Sequence, residues 1–302
     1  MEYNSLDSYL KRTFGGKVYK LALSMGATCP NRDGTKGWGG CSFCSAGGSG
    51  DFAENTLSVG EQIELAKKRV DSKFPKKIDV PRMYIAYFQS FTSTYISGSL
   101  TLHSLRERLM AAALNECVVA VSVGTRPDCL EPEVMQILTE VNQIKPVWVE
   151  LGLQTVNEKT AAAFGRGYEL GTFTDAYCRL KKAGLYVVVH VILGLPGESE
   201  GDMLETVRFL SGLTPVLDGI KFQLLHVLRG TRLACDYEKG LFETMDFEEY
   251  CSVLGKCLKL IPKETVVHRI TGDGPKRILI APLWSADKKK VLNSLKKYLL
   301  SI

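Results

Sequence analysis

The chain has 302 residues, 45% of them hydrophobic and 24% charged, with a net charge of +5 and nine cysteines. This is globular composition. It excludes disordered and collagen-like classes, and an odd cysteine count without an apolar leader argues against a disulfide framework. The most apolar stretch, Leu185 to Pro196, is too short to cross a bilayer and contains His190, so a soluble cytoplasmic protein with no membrane association is expected.

In chain order, Lys17 to Leu23 reads as a first strand, followed at once by the stretch Cys29-Pro-Asn-Arg-Asp-Gly-Thr-Lys-Gly-Trp-Gly-Gly-Cys41-Ser-Phe-Cys44. Helical spacing follows over Val59 to Ser72, then a strand over Arg82 to Phe88 and a helix over Leu100 to Leu114. Cys117 to Val123 is a buried strand, Glu131 to Val141 a helix, and Val147 to Leu151 a fourth strand. Helical spacing resumes after Asn157 and from Phe173 to Ala183, where Gly184 is a natural stop. Leu185 to Leu193 has the β-branched, apolar run of a central parallel strand. Met203 to Ser211 is a helix and Gly219 to Val227 a sixth strand.

Six strand–helix units in a row predict a parallel sheet with right-handed crossovers. In an open sheet or a barrel alike, active groups collect at the C-terminal ends of the strands. Gln89, Thr125, Gln154 and Gly194 each fall just after a strand, so they would ring one mouth with the cysteine loop. The chain changes character near Asp246: a helix over Phe247 to Leu260, a strand over Thr265 to Ile270, the turn Gly272-Asp273-Gly274-Pro275 and a basic helix over Ala286 to Leu300. No linker separates this tail. The expected division is a core over residues 1–245 carrying the cysteine loop, and an extension over 246–302 packed on it. Basic runs at Lys67-Lys68-Arg69, Lys76-Lys77, Lys288-Lys289-Lys290 and Lys296-Lys297 permit a polyanionic partner such as RNA, although any one of them suits a solvated helix face.

Cys29, Cys41 and Cys44 carry the chemistry. Three thiolates on one loop can hold three irons of a four-iron cluster and leave the fourth iron open to a substrate. Gly34, Gly37, Gly39 and Gly40 would let backbone amides approach sulfide. Two other uses stay open from the residues alone. Structural zinc wants four protein ligands, and the loop supplies three, with His103 the nearest histidine in sequence. A redox dithiol at Cys41 and Cys44 leaves Cys29 idle. Most of the other six cysteines, Cys117, Cys129, Cys178, Cys235, Cys251 and Cys257, lie in apolar or helical contexts and read as small buried apolar residues.

The loop resembles that of the radical S-adenosylmethionine (SAM) superfamily, whose usual spacing is Cys-x3-Cys-x2-Cys. The second interval is kept, with Phe43 at the aromatic position, while eleven residues separate the first two cysteines. Thr125-Arg126-Pro127-Asp128, Glu150-Leu-Gly-Leu-Gln154-Thr155, Arg166-Gly167-Tyr168 and His190-Val-Ile-Leu-Gly194-Leu195-Pro196-Gly197 are similar to stretches of the branch that contains the Elongator catalytic subunit and the oxygen-independent coproporphyrinogen oxidase. Cys-Pro-Asn-Arg-Asp-Gly, Ser49-Gly50-Asp51-Phe52, the run from Tyr87 to Tyr95 and Gly272-Asp273-Gly274-Pro275 resemble the YhcC/YtqA family over nearly the whole chain.

That resemblance implies an α/β fold, the radical SAM partial (β/α)6 TIM-type barrel with a C-terminal extension. It implies a [4Fe-4S] cluster on Cys29, Cys41 and Cys44, with SAM chelating the open iron, and an electron donor such as flavodoxin or ferredoxin. One electron then cleaves the sulfonium bond to give methionine and a hydrogen-abstracting 5′-deoxyadenosyl radical. Phe43 belongs to the same cofactor site. Gln154 and Arg166 would contact the polar parts of SAM, and Glu150 would contact ribose or orient Arg166. Gln89 stands where relatives have a glycine-rich strand end for the SAM amine, and His190 where the Elongator type carries histidine. The plainer readings are a surface salt bridge for Arg166, a hydrogen-bonded strand end for Glu150 and a core histidine for His190. Tyr87, Phe91 and Tyr95 would stack on a base or pack; His268, Arg269, Asp273 and Arg277 would hold substrate or close the barrel.

A branch of the family, called MnmL, is implicated in maturing wobble uridines of tRNA. The implied step removes carboxymethyl from 5-carboxymethylaminomethyl-(2-thio)uridine and leaves 5-aminomethyl-(2-thio)uridine. Two alternatives are the same radical chemistry on a small metabolite, and a zinc-stabilised RNA-binding protein without catalysis. No acetyl-CoA domain follows the core, so no acetyltransferase activity is expected.

Overall fold

The computed structural model describes residues 1–48, 58–73, 82–98, 100–272 and 274–301. The expectations on Ser49-Gly50-Asp51-Phe52, Lys76-Lys77 and Asp273 lie outside these residues. In chain order the elements are α1 (Leu6–Phe14), β1 (Val18–Leu23), α2 (Val59–Asp71), β2 (Met83–Phe88), α3 (Leu102–Ala113), β3 (Val118–Thr125), α4 (Pro132–Asn142) and β4 (Val147–Gln154). They continue with α5 (Glu158–Phe164), α6 (Leu170–Lys182), β5 (Tyr186–Leu193), α7 (Glu200–Ser211), β6 (Gly219–Leu224), β7 (Val227–Leu228) and α8 (Arg232–Glu238). The last are α9 (Phe247–Leu260), β8 (Val266–Arg269), β9 (Leu279–Ala281), a 3-10 turn over Leu283–Ala286, and α10 (Lys288–Ser301).

Seven strands form one parallel sheet in the order β1-β2-β3-β4-β5-β6-β8, a partial TIM-type barrel. The seventh strand comes from beyond residue 246 and pairs with β6, Gly219 opposite Val266. The expected sixth strand is shorter than its apolar run. It stops at Leu224, and Val227–Leu228 pairs antiparallel with β9 instead. Four elements were not anticipated: α1, α8, β9 and the 3-10 turn.

Period-two alternation explains how one sheet makes both a core and a site. In β4 the odd residues Val147, Val149, Leu151 and Leu153 face the helices, packed with residues such as Leu138 and Tyr177. In β5 Val187, Val189, Val191 and Leu193 do the same. The even residues turn inward and form layers. The lowest is aromatic: the Trp148 ring lies 5.2 Å from Tyr186, 5.3 Å from His268 and 6.2 Å from Tyr9 of α1. Above that plug comes a polar layer of Lys20, Tyr87, Glu150, His190 and Lys221. Polar residues sit on otherwise apolar strands because this inner face supplies partners for them.

Candidate active site

The loop after β1 is folded by two tight turns. Arg32 N–H donates to the Cys29 carbonyl at 2.8 Å, and Cys44 N–H to that of Cys41 at 2.9 Å. Gly34 and Gly40 have φ of +92° and +89°. The Trp38 ring fills the space a Cβ at Gly34 would need, so these glycines serve turn geometry and close packing. The loop is tied to two other elements. Ser42 N–H reaches the Phe164 carbonyl at the end of α5 at 2.9 Å, and Leu233 N–H of α8 reaches the Ser42 carbonyl at 3.0 Å. The Phe43 ring lies 5.2 Å from that of Phe164. Asn31 is a strap: its Nδ2 donates to the Gly165 carbonyl at 2.6 Å and sits 3.4 Å from Cys41 Sγ. Its buried Oδ1 has no partner among the described residues.

Cys29, Cys41 and Cys44 open onto a cavity of about 1020 Å³. Phe43, Gln89, Glu150, Gln154, Arg166 and His190 line the same cavity, as do Tyr87, Phe91, Thr125 and Arg269, whereas Gly194, Tyr95, His268 and Arg277 do not. The hydrogen bond between Cys41 and Cys44 splits the pair: with burial it pushes the Cys44 thiol up, while the Cys41 thiol is lowered to about 6 by that bond, then by Asn31 and the charges of Arg126 and Arg232. A thiolate there suits a metal-bound sulfur. Among the described residues, no three or more His, Cys, Asp or Glu side chains converge where one ion would sit. A cluster offers a different iron to each thiolate, so its ligands need not converge on one point, and the donor set fits it. Of the remaining cysteines, Cys129, Cys251 and Cys257 are buried as expected, whereas Cys178 and Cys235 are exposed on outward faces of α6 and α8.

Gln154 ends β4 with φ +67°, a left-handed conformation costly to a residue with a side chain, and its side-chain amide has no hydrogen-bond partner among the described residues. Arg166 is 1% exposed, not a surface residue. Its guanidinium donates to the Thr155 carbonyl at 2.8 Å, the Tyr168 carbonyl at 2.9 Å and Glu158 Oε1 at 2.8 Å. The orienting contact expected from Glu150 is therefore made by Glu158, because Glu150 points into the polar layer. There Glu150 Oε1 accepts from Lys20 Nζ at 3.0 Å and Ser122 Oγ at 2.7 Å, and Oε2 meets His190 Nε2 at 2.8 Å and Lys221 Nζ. Burial would raise the Glu150 carboxyl, but Lys20 and Lys221 hold it well below the usual range. Burial, then the Lys221 charge, holds His190 at about 4. His190 is thus neutral at pH 7, with Nε2–H directed at Glu150 and Nδ1 accepting from Gln223 Nε2 at 3.3 Å.

Of the three aromatics weighed for stacking, Tyr87 is 7% exposed between the ammonium groups of Lys20 and Lys221, 4.8 and 4.4 Å from its ring centre. Phe91 lines the cavity at φ +55°, and Tyr95 bonds Thr35 of the cysteine loop at 2.8 Å. Among the described residues lining the cavity there is one acidic side chain, Glu150. Against it stand Arg126 and Arg166 near the cysteine loop, Lys20 and Arg269 at the sheet, and Arg32, Arg69 and Lys73. Arg69 and Lys73 are exposed, which puts them at the rim. The basic runs of α10 do not line it. Of the tail residues weighed for holding substrate or closing the barrel, Arg269 lines the cavity, whereas His268 packs against Trp148 below it and Arg277 does not line it; His226 and Pro275 line it without having been assigned to it.

A family profile described as the radical SAM superfamily matches residues 24–210, and one described as the radical SAM C-terminal domain matches residues 217–301. The chain is 42% identical over 298 residues to a Bacillus subtilis protein named YtqA, covering 98% of this chain and 89% of that one. It is 34% identical over 297 residues to the Escherichia coli protein YhcC, covering 98% and 92%. Among solved structures, the archaeal Methanocaldococcus infernus Elp3 superposes with a TM-score of 0.67 at 17% identity, over 94% of this chain and 63% of that one.

Proposed function

The chain belongs to the radical SAM superfamily and its YhcC/YtqA family, whose enzymes use a [4Fe-4S] cluster and SAM, and from that premise we propose that it acts on a wobble uridine of tRNA. The reaction is removal of carboxymethyl from 5-carboxymethylaminomethyl-(2-thio)uridine to leave 5-aminomethyl-(2-thio)uridine. Cys29, Cys41 and Cys44 hold the cluster. When bound and reduced by a flavodoxin- or ferredoxin-type donor, the cluster and SAM supply a hydrogen-abstracting radical.

The protein's own part is to position and to exclude water. Gln154, with a strained backbone and an uncommitted amide, binds the polar end of SAM. Gln89 and Phe43 line the same cavity. Arg166 spends its donors on backbone and Glu158, so it holds the mouth in shape and presents a positive field rather than a free fork. Glu150 and neutral His190 give the wall beneath a fixed pattern of donors and acceptors. Arg69 and Lys73 at the rim suit an RNA backbone.

The observation that carries this reading is the convergence of three thiols and a cation-rich wall on one cavity. The tRNA substrate draws its support from the likeness to the wobble-uridine branch. Nucleoside mass spectrometry of tRNA from a strain lacking the protein tests it. Accumulated 5-carboxymethylaminomethyl uridine is expected, with loss of the aminomethyl product. An unchanged nucleoside profile would transfer the same chemistry to a small metabolite.

A further inference from the structure

Arg269 ends β8 on the cavity wall, half-buried, and among the described residues its guanidinium makes no hydrogen bond or ion pair. Its register partner across the sheet is Lys221, which in turn stands opposite His190. The groups at that level are already committed. Glu150 gives Oε1 to Lys20 and Ser122, and Oε2 to His190 and Lys221. His190 Nδ1 is taken by Gln223, and His268 faces away toward Trp148. Among the described residues one carboxylate thus serves this part of the wall, and it is spent on other cations. A partly buried guanidinium without a counter-charge is unfavourable, and its rigid fork of N–H donors matches a carboxylate.

We propose that Arg269 receives a carboxylate of the substrate, at the level of His190 and Lys221. This rests on the substrate reading above, in which the carboxymethylamino group carries the one anionic group of the base itself. Arg269 then decides which wobble nucleosides enter productively: those with the carboxylate are held, and those already stripped of it are released.

The test uses the anaerobically reconstituted full chain, its Arg269→Gln and Arg269→Lys variants, and two tRNAs that differ only in a carboxymethylaminomethyl or an aminomethyl uridine. Backbone phosphates cancel in the affinity ratio of the two RNAs. The parent should prefer the carboxylate-bearing tRNA by roughly tenfold or more, the size of a charge-assisted fork, and R269Q should abolish that preference. R269K keeps the charge without the fork and should retain a fraction of it; if R269Q does not assemble iron, R269K carries the comparison. A preference that survives in both variants, or an equal loss for both RNAs as a phosphate contact would give, overturns the assignment. If the parent neither prefers nor processes either tRNA, the substrate reading fails, and calorimetric titration with N-methylglycine against inorganic phosphate still decides Arg269. Carboxylate binding weakened about tenfold in R269Q supports it; equal binding by parent and variant refutes it.

Discussion

Replacing Glu150 with glutamine keeps the shape of the side chain and removes its charge from between Lys20, Lys221 and His190. Breaking a buried ion pair by deleting one partner costs ~3–5 kcal/mol, because the remaining charge is left without compensation. Two features of the site favour the lower end. The Lys20 side chain is 24% exposed and can rehydrate. Burial already pushes Lys221 well below its ordinary range, so it can release its proton. A loss of ~3 kcal/mol is therefore expected at pH 7, and at ~2 °C per kcal/mol for a chain of this length it lowers the melting temperature by ~6 °C. Scanning calorimetry of Glu150→Gln, Lys221→Met and the double variant measures it. The double variant should recover at least ~1 kcal/mol over the sum of the singles, since the pair is then removed together. Singles that melt within a degree of the parent, with strictly additive effects, would refute this account of the wall.

His190 supplies a pH dependence. Its folded-state value of about 4 lies below the ordinary 6.5, so the unfolded chain takes up the proton first. Stability should fall as pH drops from 6.5 toward 4, by ~3 kcal/mol in all at about 1.4 kcal/mol per pH unit, and urea titrations of His190→Gln should lose that component of the slope. Gln154→Gly should act with opposite signs: relief of the left-handed strain raises stability by ~1 kcal/mol while SAM affinity, read by equilibrium dialysis, falls. Reduced stability with unchanged SAM binding would detach the strain from function. Asn31→Ala removes the strap between the cysteine loop and Gly165, and should cost ~1–2 kcal/mol and lower the iron retained after gel filtration. A full iron complement would show that the loop holds itself.

The barrel was readable because its signals are local. Apolar β-branched runs marked β3, β4 and β5, and α9 runs over the expected Phe247 to Leu260, where the structure shows Asp246 and Glu249 forming a capping box at its start. The residues that line the cavity beside the cysteine loop were marked by motifs, most of them at strand ends. What stayed hidden depends on contacts between distant segments. That Arg269, weighed only as part of a tail turn, faces the core cavity follows from which strands become neighbours, and β8 reaches β6 only across the whole of α9. Glu158 is the nearer case, eight residues from Arg166 across α5, and meets it because the chain folds back after that helix. α1 is different. Ser5 at its N-cap and Gly15 at its end are ordinary helix signals, so this helix is legible in the sequence although it is not among the expected elements. α8 is seven residues long, too short for periodicity to announce it.

The central claim is that Cys29, Cys41 and Cys44 hold an iron–sulfur cluster facing the cavity. Iron and acid-labile sulfide analysis of anaerobically prepared protein, with electron paramagnetic resonance of the reduced form before and after SAM, tests it most directly. About four irons and four sulfides per chain are expected, with a spectrum that shifts on SAM addition, and each single Cys→Ala change should abolish both. A colourless protein holding one zinc per chain, even after reconstitution with iron and sulfide, would contradict it.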